Sequence, residues 1–96
     1  MNILKQLQVK VHAMQSPSTG RPVVNQYCIE TTKGLVFQSY DTVIAIKTKD
    51  TVLLDGRYWD YSRITSKYRN AFLDCSTAET RARIASGEYK LTNLNG

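Results

Sequence analysis

Ninety-six residues, 42% of them hydrophobic and 22% charged, suffice for one small domain spanning 1–96 with a single core and exclude a natively disordered chain. Thirteen Lys and Arg against eight Asp and Glu leave a net charge of +5, which steers the chain toward polyanions and excludes mimicry of DNA by an acidic surface. The opening MNILKQLQVKV is broken by Lys5, Gln6, Gln8 and Lys10, so the reading is of neither a membrane span nor a secretory leader but of a cytoplasmic protein.

Leu7, Val9, Val11 and Ala13 alternate with Gln8, Lys10, His12 and Met14, the period-two pattern of a strand with one buried face. Ser16 to Pro22 then gathers turn formers, both prolines included, into a surface loop. A second strand is expected over Val23 to Thr31, with Tyr27 and Ile29 on one side and Val24, Gln26 and Cys28 on the other. Gly34 closes it by taking positive φ. Leu35 to Phe37 forms a short third strand, and Ser39 to Thr42 is a bulge or turn before Val43 to Thr48. In that fourth strand Val43, Ile44, Ala45 and Ile46 are apolar in succession, which predicts cover on both faces. Thr51 to Leu54 completes a meander that Asp55-Gly56 stops.

Beyond Gly56 the period changes to about 3.6. Ile64, Tyr68, Phe72 and Cys75, with Ala71 beside them, predict the buried stripe of a helix from about Ser62 to Asp74, capped by Asp60 or Ser62. Arg63, Lys67, Asn70 and Asp74 form its opposite face. Ser76-Thr77-Ala78-Glu79 is a capping box that starts a second helix, and Gly87 ends it. Glu88 to Leu94 alternates as a last strand able to rejoin the sheet edge. The expected fold class is α+β: a curled antiparallel sheet of four to six strands with two helices packed on one face.

No residue set reads as catalytic or as a metal centre. His12 is the only histidine, the acids are scattered, and the glycines each close an element. Cys28 and Cys75 lie far apart without zinc or redox spacing and read as small core residues. No cofactor is implied. Chemistry concentrates instead in RYWDYSRITSKY, residues 57–68, which holds the only Trp and three of six Tyr. Cations among aromatic rings suit single-stranded nucleic acid, but Trp59, Tyr61 and Tyr68 read first as the corner joining sheet to helix, which leaves the cations as the functional part. The candidate partner-binding residues are Arg57, Tyr58, Tyr61, Arg63, Lys67, Arg69 and Asn70. Arg81 and Arg83, two apart on a helix, point in opposed directions, so only one is expected to extend this surface.

SYDTVIAIK, then LLDGRYWDYSRITSKYRNAFL, then SGEYKLTNLN resembles a family of small phage and mobile-element proteins of uncharacterised function, over roughly residues 25–95. The resemblance implies an accessory protein made in the cytoplasm of an infected host. Its expected role is non-enzymatic: binding a host protein or nucleoprotein complex, such as a CRISPR or related defence effector, through a basic helix face. Direct nucleic-acid binding is one alternative; self-association through a sheet edge, as in a homodimer, is another.

Overall fold

The computed structural model describes residues 9–96, so the Leu7 and Gln8 positions of the expected first strand lie outside them. Six strands form one open sheet in sequential order: β1 (Lys10–Gln15), β2 (Pro22–Thr31), β3 (Gly34–Ser39), β4 (Thr42–Thr48), β5 (Val52–Asp55) and β6 (Tyr89–Thr92). The first five pair antiparallel, as the meander of turn signals requires, whereas β6 lies parallel to β5. The reversal follows from connectivity, because a strand reached through α1 (Arg63–Leu73) and α2 (Thr77–Ser86) crosses the sheet before it pairs. The fold is α+β, with a mixed rather than wholly antiparallel sheet.

Both helices lie on the same side. The Phe37 ring stacks on Phe72 of α1 at 5.8 Å, and Ser39 Oγ meets Thr65 Oγ1 at 3.1 Å. Strand register then assigns the layers, since directly paired residues share a face. Cys28, Phe37, Ala45 and Leu54 are successive partners and face the helices. Phe37, Ala45 and Leu54 are fully buried there with Ile44, joined by Val52, Tyr68, Leu73, Cys75 and Tyr89.

The Val43–Ile46 run has a more specific explanation than cover on both faces. Phe37 pairs with Ala45 but Gln38 pairs with Val43, so Ile44 is the extra residue of a β-bulge. Ile44 and Ala45 are both wholly buried, while Val43 and Ile46 are only half-buried. At the β2–β3 turn, a Cβ on Gly34 (φ +150) would sit 2.3 Å from the Lys47 carbonyl oxygen, a position open only to glycine.

Candidate functional site

The segment between β5 and α1 is anchored by one carboxylate. Asp55, 2% exposed, accepts hydrogen bonds at Oδ2 from the backbone N–H groups of Arg57 (3.1 Å) and Tyr58 (2.9 Å). Its Oδ1 accepts from the Leu94 N–H (2.9 Å) and Asn95 Nδ2 (3.1 Å). Burial would raise its pKa, but these donors, the Leu94 N–H foremost, hold it below the ordinary carboxylate value. A recess of about 420 Å³ lies beside it, between Arg57, Tyr58 and residues 92–96. With both carboxylate oxygens already engaged, Asp55 ties the turn to the C-terminal segment.

Trp59 follows, half-buried and in contact with two guanidinium groups: Arg69 at 5.1 Å and Arg81 at 5.6 Å from the ring centroid. Arg69 is fully buried. Its Nη1 donates to the Trp59 carbonyl, to Asp60 Oδ1 (3.3 Å) and to Ser66 Oγ (3.3 Å). Its Nη2 donates to Asn70 Oδ1 (2.8 Å) and Thr77 Oγ1 (2.7 Å). Burial depresses the Arg69 pKa and Asp60 opposes that shift, while Asp60, shared with Arg81 at 2.9 Å, is itself held low. The network joins the turn, α1 and the start of α2.

Two expectations about α1 are thereby corrected. Arg69 is not a contact residue at the surface, because it is fully buried and its Nη1 and Nη2 are turned onto five internal acceptors, while its buried Nε has no partner among the described residues. The buried stripe comprises Thr65, Tyr68, Arg69 and Leu73 rather than one running through Ile64 and Ala71, both of which are exposed. Tyr68, Phe72 and Cys75 of the expected stripe do face the core, and the buried side widens toward Thr65, Arg69 and Leu73, because hydrogen bonds to Ser39 and Asp60 draw Thr65 and Arg69 inward. Ser62 is the N-cap, accepting from the Thr65 N–H at 3.1 Å. Asp60 accepts from the Ser66 hydroxyl and the two arginines instead.

The other candidates stay near solvent. Arg63, Lys67 and Ile64, the last 54% exposed, share the outer face of α1. Tyr61 is 58% exposed and meets Tyr58 edge-to-face at 5.5 Å, so it belongs to the surface and not to the corner. Arg57 lies over the Tyr58 ring at 5.8 Å. Asn70 is half-buried and turned to Arg69 and Thr77. Among the described residues, Arg57, Arg63 and Lys67 form no ion pair. Arg81 is spent on Asp60, and Arg83 on Tyr89 Oη (2.8 Å) and Glu88 (3.6 Å), so neither extends the basic face as an unpaired charge. Burial raises the pKa of the Tyr89 phenol, while its bond to Arg83 opposes that shift.

His12, 56% exposed, bonds Glu30 at 2.6 Å across β1 and β2. Cys75 is buried beside Thr80 Oγ1 (3.2 Å) and Cys28 is half-buried; both are free thiols. Burial, with Glu30 nearby, raises the Cys28 pKa. No described group of three His, Cys, Asp or Glu could hold a metal ion, and no described helix is long and apolar enough to cross a membrane.

A family model matches residues 9–87. The chain belongs to a family of unknown function, DUF8033. The match runs from the start of β1 through Gly87, the C-cap of α2, and so takes in the aromatic turn, the Arg69 network and the outer face of α1. No curated protein and no solved structure matches the chain.

Proposed function

We propose that the chain is a non-enzymatic accessory protein of phage type that binds a host nucleic-acid-handling or defence complex, as an anti-CRISPR inhibitor would. The observation carrying this reading is the outer face of α1 and its entry turn: among the described residues Arg57, Arg63 and Lys67 have no acidic partner, and Tyr61 and Ile64 are exposed. Arginine, tyrosine and an aliphatic side chain on one rigid surface match the composition of protein-interface centres. An unpaired cation contributes most when a partner supplies the missing charge and excludes water.

The second reading, direct binding of single-stranded nucleic acid, draws support from the exposed Tyr61 ring flanked by cations, which suits base stacking beside phosphate contacts. Titration of fluorescent single- and double-stranded oligonucleotides at two salt concentrations separates the readings. Direct binding gives a log-log salt slope of about −0.7 to −0.9 per phosphate contact. A protein partner gives negligible oligonucleotide affinity, together with capture from infected-host lysate that the Arg63→Glu/Lys67→Glu double variant loses while its circular dichroism is unchanged. Capture unaffected by that variant overturns the assignment of the surface.

A further inference from the structure

Among the described residues, the sheet has a second face that neither α1 nor α2 touches, and its composition is not that of a solvated surface. Register places Val11 opposite Ile29, Ala13 opposite Tyr27, Ile29 opposite Val36, Val36 opposite Ile46, and Ile46 opposite Leu53, all on the side away from Phe37 and the helices. Five strands thus contribute apolar side chains to one continuous band. None of these residues is fully buried, and Val11 is 61% exposed. One-sided antiparallel sheets ordinarily alternate apolar-in with polar-out, so an apolar outer row signals a cover.

We infer that this face is the interface of a homodimer, in which the sheets of two copies pack face to face. Charge selects a second copy over a partner of opposite sign. The side chains the register sends to this face are neutral except Lys90, at the β6 edge, and Asp55, which the C-terminal segment covers. Lys10, His12, Glu30 and Lys47 fall on the helix side, as do Arg63 and Lys67 of α1. Two chains of net charge +5 therefore meet through their neutral sides with Arg63 and Lys67 outward, an arrangement that a two-fold axis makes self-complementary.

The area also fits. Six strands about 4.8 Å apart and about six residues long project roughly 24 by 20 Å, or about 500 Å². Side-chain corrugation brings the accessible area toward the about 800 Å² per partner of a stable interface. The pair would be a sandwich with sheets about 10 Å apart, and each outer surface would carry one copy of the basic helix face. This inference does not depend on what that basic face binds.

Sedimentation equilibrium of the full chain from about 1 to 200 μM tests it. The expected result is a dimer with Kd in the low micromolar range or below, undiminished by raising NaCl because apolar burial is not screened. Ile46→Lys, at the centre of the face, should give a monomer with native circular dichroism, and Lys67→Glu should remain dimeric. Should Ile46→Lys fail to fold, Val11→Lys decides, since that exposed side chain supports no core; it should weaken dimerisation at least about tenfold. A wild-type monomer at the highest concentration overturns the inference and leaves the face to residues 1–8 or another protein. Dimerisation unchanged in both lysine variants overturns it in favour of an edge contact.

Discussion

Removing the Arg69 guanidinium would take a donor from the Trp59 carbonyl and from Asn70 Oδ1, would leave Thr77 Oγ1 with only its 3.3 Å bond from Asn70 Nδ2, and would leave Trp59 with one cation instead of two. Breaking a buried, hydrogen-bonded charge typically costs about 3–5 kcal/mol, whereas a solvent-exposed ion pair contributes about 1 kcal/mol or less. Arg69→Met should therefore lower the urea midpoint by an amount equivalent to about 3 kcal/mol. Arg81→Ala, at a side chain 63% exposed, should cost under about 1 kcal/mol. Equal losses would mean that the network contributes little beyond its exposed edge. Arg69→Lys is expected to behave nearly as badly as methionine, since an ammonium cannot span acceptors on two sides of a planar fork. The sequence held only a partial signal for this residue. A charge four places from Thr65 and one from Tyr68 reads as outer face by hydropathy, and only the nearness of Trp59 and Asp60 hints at a partnered interior cation.

At the scale of elements, what is local was legible and what is nonlocal was not. The capping box of α2 is as its spacing requires, with the Glu79 N–H on Ser76 Oγ and the Ser76 N–H on Glu79 Oε1, both at 3.0 Å, and Gly87 ends the helix at φ +84. Strand positions likewise fall within a few residues of the period-two pattern, because alternation is imposed by the pleat itself. The phase of α1 and the parallel docking of β6 depend on contacts between distant segments, Ser39 to Thr65 and Asp55 to Leu94, which no window of neighbours encodes. Of the candidate contact residues, Arg57, Tyr61, Arg63 and Lys67 were legible as surface, and Arg69 was not. The first turn of α1 holds no acidic residue to meet its exposed N–H groups, so its start depends on the Ser62 hydroxyl. Ser62→Ala should cost about 1 kcal/mol in thermal or urea unfolding, and Ser62→Asp should be neutral or stabilising. Identical losses from both substitutions would show that the serine acts through packing rather than as a cap.

At the scale of the whole molecule, the Asp55 carboxylate connects three chain segments: the end of β5, the aromatic turn, and the C-terminal residues that follow β6. Asn95, held by Asp55, in turn accepts the Val43 N–H at Oδ1 (2.8 Å) and donates from Nδ2 to the Val43 carbonyl (2.9 Å), which ties β4 to the chain end. The Asp55 carboxylate is held at a pKa below its unfolded value, so it binds fewer protons in the folded state. Its stabilisation is therefore fully present above the unfolded carboxylate pKa of about 4 and is lost as pH falls through the folded value. Asp60 titrates in the same direction, so both groups place the loss in the acid limb. Thermal melts should consequently be flat near neutrality and fall steeply below about pH 4. Asp55→Asn should lower stability at pH 7 by removing one ionic acceptor and placing an amide opposite donors. It should also flatten the acid limb, so that the variant and the wild type converge as pH drops. Parallel curves, separated by the same interval at pH 7 and pH 3, would show that the charge of Asp55 is not what holds the C-terminal segment against the sheet.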